Sequence, residues 1–330
     1  MPFSPDIAGH EGQIATLRQA LAQDRLHHAY VFVGPAGVGK RTVALALAKA
    51  VHCGAATHDF CGRCENCVKI DNRNHPDVRL LQPLPGKRDI SIEQVRTLER
   101  QLAYRSFSGG KKIVVIDPAS LMNLAAQNAL LKTLEEPPAG SVLILVSESA
   151  GGLLPTLLSR CLRLSFAPLP AAVIAAHLAA ERRLSREQAA LLAAVSFGSL
   201  GRALDPDMEE VARKREAWVD GIAAVARSGG GAWTALAEGL SKDREETLEF
   251  LDWLAAWYRD ILIFLAAENV GEVSNLDLID KLKAQAARLS LEGALALRSR
   301  ALDAAARVRR NINRRMVLEN LFVDIAGRPR

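Results

Sequence analysis

The sequence has no run of about eighteen uncharged apolar residues, the length a helix needs to cross a bilayer, so no membrane-spanning helix is expected. The first residues, Met1 to Gln13, carry acids and no apolar core segment, so no secretory signal is expected, and residence in the cytoplasm follows as an expectation. No self-similarity at a solenoid period is found, which excludes a stacked-repeat architecture. Cysteine is scarce, with five in 330 residues, and four of the five fall between Cys53 and Cys67. In a chain expected in a reducing compartment, such crowding argues against disulfides. Aromatic residues make up only 5% of the chain, and all four tryptophans, Trp218, Trp233, Trp253 and Trp257, lie in the C-terminal part. Core packing is expected there, because base-stacking platforms usually set aromatics on a β-surface or groove.

What is present points to a globular protein. Hydrophobic residues make up 49% and charged residues 24%, enough for two or three domains with buried cores. The net charge of +5 favours contact with polyanions and serves solubility equally well. The first half alternates β-branched runs with helical stretches. Tyr30 to Val33, Val78 to Leu81, Ile113 to Ile116, Val142 to Val146 and Leu162 to Phe166 read as strands, the rhythm of a parallel sheet covered by helices on both faces. Helices are expected at Thr42 to Val51, at Ser91 to Tyr104 with Ser91 and Gln94 as a capping box, and at Ala119 to Glu135, stopped by Pro137 and Pro138. Beyond Pro168 and Pro170 strand signals vanish and the chain reads as helical, punctuated at Gly198 to Gly201, at Pro206 and at Gly229 to Gly231.

The loop Gly34-Pro35-Ala36-Gly37-Val38-Gly39-Lys40 follows the first strand and opens a helix, the context that makes a glycine-rich string a phosphate cradle. Backbone N–H groups of Gly37 to Lys40 are expected to surround a phosphate at the helix N-terminus, with Lys40 adding positive charge. A nucleotide-hydrolysing site places a Ser or Thr hydroxyl on Mg²⁺ at the next position, and here that position is Arg41. A guanidinium carries only donors and cannot ligate a metal, while Thr42 lies about 100° further round the helix. The strand Ile113 to Ile116 runs into Asp117, which is followed by Pro118 and not by a glutamate that would polarise water. ATP or ADP binding is therefore expected at a degraded site, and hydrolysis is not.

Cys53, Cys61, Cys64 and Cys67 form C-x7-C-x2-C-x2-C, a spacing at which four thiolates converge on one tetrahedral Zn²⁺ and leave no open position, so a structural zinc is expected. His52, His58 and His75 are near enough in sequence to replace one cysteine, although each reads more simply as an ordinary histidine. Cys161 stands apart as a small buried residue.

The cradle, the cysteine module, the string Ala129-Leu130-Leu131-Lys132-Thr133-Leu134-Glu135-Glu136-Pro137-Pro138, and Leu154-Pro155-Thr156 leading into Ser159-Arg160-Cys161 together resemble the bacterial DNA polymerase III clamp-loader family of AAA+ proteins. The likeness runs from about Ile7 to Phe166, returns at Gly198 to Leu204 and again from Asn311 to Leu321. It implies a RecA-like parallel-sheet domain over residues 1–167 with the zinc module inserted at about 53–75, a small helical lid over 168–207, and an all-α collar for oligomerisation over 208–330. Family τ/γ subunits carry a hydroxyl residue after the loop lysine and Asp-Glu in the second motif. Arg41 and Pro118 depart from that pattern, at sites commonly degraded in δ′ members, and the sensor stretch Ser147-Glu148-Ser149 departs from the Thr or Asn of active members.

From local sequence alone Arg160 reads equally as a surface arginine paired with Glu or backbone carbonyls. The resemblance implies instead an arginine finger inserted in trans into the ATP site of a neighbouring τ/γ subunit. It further implies δ, the β sliding clamp and primer-template DNA as partners, in ATP-dependent clamp loading during replication. Arg202 matches the family's second sensor position, where, beside a degraded site, it is expected only to pack the lid or bind residual phosphate. Arg300, Arg307 and Arg314, with Arg310, predict one basic helix face, expected to be solvated or subunit-contacting, and Lys111 and Lys112 are expected to be solvent-exposed.

Overall fold

The structure is a computed structural model that describes residues 7–55, 58–182, 184–204, 208–228, 232–267, 273, 275 and 278–327. Pro206 and the loop Gly229 to Gly231 lie outside the described residues. The chain separates into two compact units, one of Met1–Glu181 with Gly198–Arg202, the other of Arg182–Phe197 with Ala203–Arg330.

The first unit holds α1 (Glu11–Ala22), β1 (Ala29–Val33), α2 (Lys40–His52), α3 (Glu65–Asp71), β2 (Val78–Leu81), α4 (Ile92–Ala103), β3 (Lys112–Ile116), α5 (Leu124–Glu135), β4 (Ser141–Ser147), α6 (Pro155–Leu158), β5 (Leu162–Ser165) and most of α7 (Ala171–Arg182). Its five strands are parallel in the order β2-β3-β4-β1-β5. The side chains alternate as a two-residue period demands. Tyr30, Phe32, Ile113, Val115, Ile144 and Val146 pack on one face with α2 residues such as Val43 and Leu47. Val31, Val33, Val114, Ile116, Leu143 and Leu145 pack on the other with Val95, Leu98, Leu130 and Leu134 of α4 and α5. Because β1 sits between β4 and β5, its C-terminal end opens beside the ends of those two strands, on the edge of the sheet where ligands of open α/β sheets bind.

Local chemistry sets the helix ends. Gln94 Oε1 accepts from the Ser91 N–H at 3.1 Å, the capping box the sequence predicts. The expected helix Ala119 to Glu135 is broken: Ala119–Leu121 forms a 3-10 turn, and Asn123 starts α5 by accepting from Ala126 N–H at 2.9 Å. Lys112 is not a solvated lysine. Its Nζ donates to the carbonyls of Gln101 and Leu102 at 3.1 and 3.0 Å and to that of Tyr104, satisfying the orphan acceptors at the end of α4. Lys111 pairs with Asp24 at 3.0 Å.

The second unit contains α8 (Arg186–Val195), the end of the short α9 (Leu200–Ala203), α10 (Met208–Ser228), α11 (Ala232–Leu240), α12 (Arg244–Ala267), α13 (Ile279–Ala286), α14 (Leu291–Arg309) and α15 (Arg314–Ala326). Trp218, Trp253 and Trp257 are buried in its core, with ring centroids of Trp253 at 5.3 and 5.5 Å from those of Trp218 and Trp257, so the tryptophans are packing residues as expected. A buried polar knot ties the helices: the fully buried Asp260 accepts from Asn275 N at 2.9 Å and Nδ2 at 2.6 Å, and Asn275 Oδ1 accepts from Arg215 at 2.6 Å.

The single basic face expected near the C-terminus does not form. Asn311 turns left-handed (φ 62°), and Asn313 caps a new helix at Arg314, so Arg314 is not on the helix of Arg300 and Arg307. The three arginines are also engaged locally, Arg300 with Asp324 (3.4 Å), Arg307 with Asp303 (2.8 Å) and Arg314 with the Ser241 carbonyl (2.9 Å). No described helix is long and apolar enough to cross a membrane.

Candidate functional site

The glycine-rich loop leaves β1 where the backbone is most crowded. A Cβ on Gly34 would lie 2.1 Å from the Phe166 carbonyl oxygen, so only glycine lets the two strand ends pass. Gly37 and Gly39 hold φ of +71° and +106°, the left-handed region that other residues resist. Against the loop tip sits the segment Gly198–Arg202. Gly201 N–H donates to Gly37 O at 2.9 Å, and a Cβ on Gly37 would meet Ser199 Oγ at 2.2 Å. Arg202, in the same segment, is half-buried, and its N–H donates to Ser199 Oγ at 3.2 Å.

Val38 is buried, and its carbonyl accepts from His10 Nε2 at 2.7 Å. His10 stacks edge-on to Phe166 at 4.8 Å, and burial pushes its imidazole down, keeping a neutral ring whose one N–H holds the loop. Nothing in the local sequence singled out His10. A lone histidine beside a glycine carries no pattern, and only the fold brings it to Val38.

Lys40 is 6% exposed, and its Nζ donates to the carbonyls of Gly34 and Pro35 at 2.5 Å each. Burial lowers its pKa, while Glu148 and Asp117 pull the other way. Arg41 points to the second motif: its Nη1 lies 3.4 Å from Asp117 Oδ2. Asp117 is pushed up by burial, and the positive charges of Arg41 and Lys40 counter that. Thr42 is exposed. The residues expected to hold nucleotide, Gly34, Gly37, Val38, Gly39, Lys40, Arg41, Thr42 and Arg202, thus lie on one loop, the first turn of one helix and the segment folded on them, with Thr42 about 100° round the helix from Arg41.

The four cysteines converge. Their sulfurs all lie within 4.8 Å of one another, and Cys53 Sγ is 3.9 Å from Cys64 Sγ. Thiolates at about 2.3 Å from a tetrahedral Zn²⁺ stand about 3.8 Å apart, so the set fits one ion. N–H groups of Arg63 and Cys64 pull the Cys61 thiol down to about 6, whereas burial pushes Cys67 up to about 12. A bound metal would deprotonate both. The histidines stay outside the cluster: His52 and His75 stack on each other at 4.5 Å. Cys161 is half-buried against the sheet core, and burial pushes its thiol up to about 11.

Arg160 follows α6, which Pro155 opens at its first position. Its guanidinium donates to Glu135 Oε1 at 2.7 Å, Thr156 O at 2.9 Å and Ser159 Oγ at 3.2 Å, and its side chain is 35% exposed. Glu135, which the sequence offered only as part of a string, is thus the arginine's partner. Strand register places this group far from the cradle. In the parallel pair β1–β5, Leu162 lies beside Tyr30 and Ser165 beside Val33. Arg160 therefore sits at the start of β5 and the cradle at the opposite end, about five extended residues or roughly 16 Å along the strand. The chain's own pocket is beyond its reach.

Family profiles match in two places: one described as DNA polymerase III, delta subunit, covers residues 9–170, and one described as DNA polymerase III, delta subunit, C terminal, covers residues 210–326. Over 307 residues the chain is 32% identical to the DNA polymerase III subunit delta′ of Pseudomonas aeruginosa, covering 92% of each chain. It is 30% identical over 311 residues to the subunit delta′ of Bacillus subtilis, covering 93% of each. With the subunit tau/gamma of Haemophilus influenzae it shares 37% identity over 175 residues, 53% of this chain and 25% of that one.

Proposed function

We infer the function from one premise: the chain belongs to the delta-prime family of DNA polymerase III subunits. It is a clamp-loader subunit that supports ATP-dependent placement of the β sliding clamp on primed DNA in the cytoplasm, and it does not hydrolyse ATP itself. One observation carries this reading: the chain has a guanidinium where hydrolysis needs a metal ligand, and a second guanidinium presented away from its own pocket.

Arg160 acts in trans on a τ/γ neighbour. Its pairing with Glu135 is exposed, and such pairs are worth about 0–1 kcal/mol, so a neighbour's γ-phosphate in a closed, dry interface displaces the carboxylate readily. In that position it stabilises the charge that develops as the γ-phosphoryl group departs, and turnover then depends on correct ring closure. The chain's own Lys40 and backbone cradle retain the shape for ATP or ADP without the oxygen donors that would bring Mg²⁺ to it. Zn²⁺ held by Cys53, Cys61, Cys64 and Cys67 supplies a cross-link and no reactivity, since four thiolates fill its coordination shell. Residues 168–207 serve as lid and 208–330 as collar, the latter joining this subunit to τ/γ and δ; primer-template DNA is met within the assembled ring.

The purified chain, given Mg²⁺ and ATP, is expected to release no phosphate above background, while adding it to τ/γ and δ raises DNA-stimulated ATPase. Magnesium-dependent turnover by the chain alone, abolished by Lys40→Ala, would make it an active τ/γ-type ATPase instead.

A further inference from the structure

We propose that Arg41 stands in for Mg²⁺ in the cradle, so that this pocket holds a nucleoside di- or triphosphate without any divalent cation. The proposal rests on the nucleotide-binding reading of the cradle and specifies how that binding is achieved.

The geometry is that of a replaced ion. In a metal-dependent site the hydroxyl after the loop lysine and the carboxylate at the end of the third strand meet across Mg²⁺. Here the residue in the hydroxyl's place reaches the same carboxylate directly, with Arg41 Nη1 at 3.4 Å from Asp117 Oδ2. Asp117 is only 16% exposed, so its charge would be poorly solvated without that partner. An arriving Mg²⁺ would have to displace a tethered guanidinium, and it would find one protein oxygen fewer, because Thr42 lies on another side of α2. Magnesium demands near-octahedral oxygen coordination and sheds water reluctantly, which makes that exchange unfavourable.

The guanidinium can also do part of the ion's work. It carries five donors, of which an ion pair with one carboxylate uses at most two, and its fork suits phosphate oxygens. Lys40 and the N-terminus of α2 supply the remaining positive potential. Charge balance differs in a useful way: Asp117 is neutralised by Arg41 whether or not nucleotide is present, so the empty cradle does not need a cation to be stable. The pocket is thereby suited to keep a nucleotide as a fixed structural ligand, indifferent to the magnesium on which the neighbouring ATP sites depend.

The test measures binding of ADP and of ATP to the full chain by calorimetry, once in EDTA and once in excess Mg²⁺. Wild type is expected to bind with affinities within about twofold of each other in the two buffers, whereas Arg41→Thr should bind at least about tenfold more weakly in EDTA and recover in Mg²⁺. Electron paramagnetic resonance with Mn²⁺ and ADP gives an independent readout: Arg41→Thr should immobilise the ion and wild type should not. Wild-type affinity that rises tenfold or more with Mg²⁺ would overturn the substitution while leaving the cradle reading intact. Absence of nucleotide binding by folded wild-type protein in both buffers would overturn the two together.

Discussion

Asp77 offers the clearest energetic test of how the sheet domain is held. It is 4% exposed, at the entry to β2, and its carboxylate collects the loop that follows α4: Phe107 N–H at 2.8 Å, Ser108 N–H at 2.8 Å, Ser108 Oγ at 2.6 Å and Ser106 Oγ at 2.9 Å. Burial alone would push this carboxyl up, but the donors outweigh it and bring it from 3.8 to about 2. A carboxyl so moved contributes about 2.5 kcal/mol of stability at pH 7. Because the folded-state value is depressed, that contribution is fully present above the unfolded value near 4, is about half gone at pH 3, and vanishes as pH falls through the folded value near 2. Asp77→Asn keeps the shape but turns an amide nitrogen toward the donors. Urea unfolding should find the variant less stable by about 2 kcal/mol or more at pH 7, with the gap from wild type narrowing steadily toward pH 3. A variant as stable as wild type at neutral pH, or a gap that does not change with pH, would refute the assignment of this loop's order to the ionised carboxylate.

Two further outcomes follow from the site geometry. Elemental analysis should give one zinc per chain, with Cys64→Ser or Cys67→Ser losing the metal and lowering Tm; a metal-free chain with the wild-type melting curve would contradict the metal centre. Gly37→Ala should lower stability by at least about 1 kcal/mol through its left-handed φ alone, and Ser199→Ala in the same chain should recover only the part due to the 2.2 Å approach. Full recovery in that double variant would show that the backbone conformation costs nothing.

Much of the fold was legible because its elements obey simple periods. The run Val142 to Val146 is buried along its whole length, as a central parallel strand must be, and the glycine-rich loop announced the β1–α2 corner. Where the structure departs from the pattern, a local polar contact wins over apolar periodicity. Asn123 capped a helix in the middle of a span that looked continuous, and Asn311 and Asn313 turned the chain inside what counted as one basic face. Lys112 looked solvated because nothing in its neighbourhood in sequence shows that the carbonyls ending α4 need a donor. The site divides the same way. Four cysteines at fixed spacing announce their convergence, but the partners of Arg41, Arg160 and Val38 lie 76, 25 and 28 residues away, as Asp117, Glu135 and His10, and such pairings exist only once the sheet order sets the strand ends side by side.

The trans role of Arg160 is what sets this subunit apart from a chain that serves only its own surface. The direct measurement is DNA-stimulated ATP turnover by a ring assembled from τ/γ, δ and this chain carrying Arg160→Ala, with assembly checked by gel filtration. The ring should assemble intact while its turnover falls at least roughly tenfold, because a positive charge is missing from a neighbour's transition state. Turnover equal to that of the wild-type ring would mean that Arg160 serves only Glu135 on its own surface.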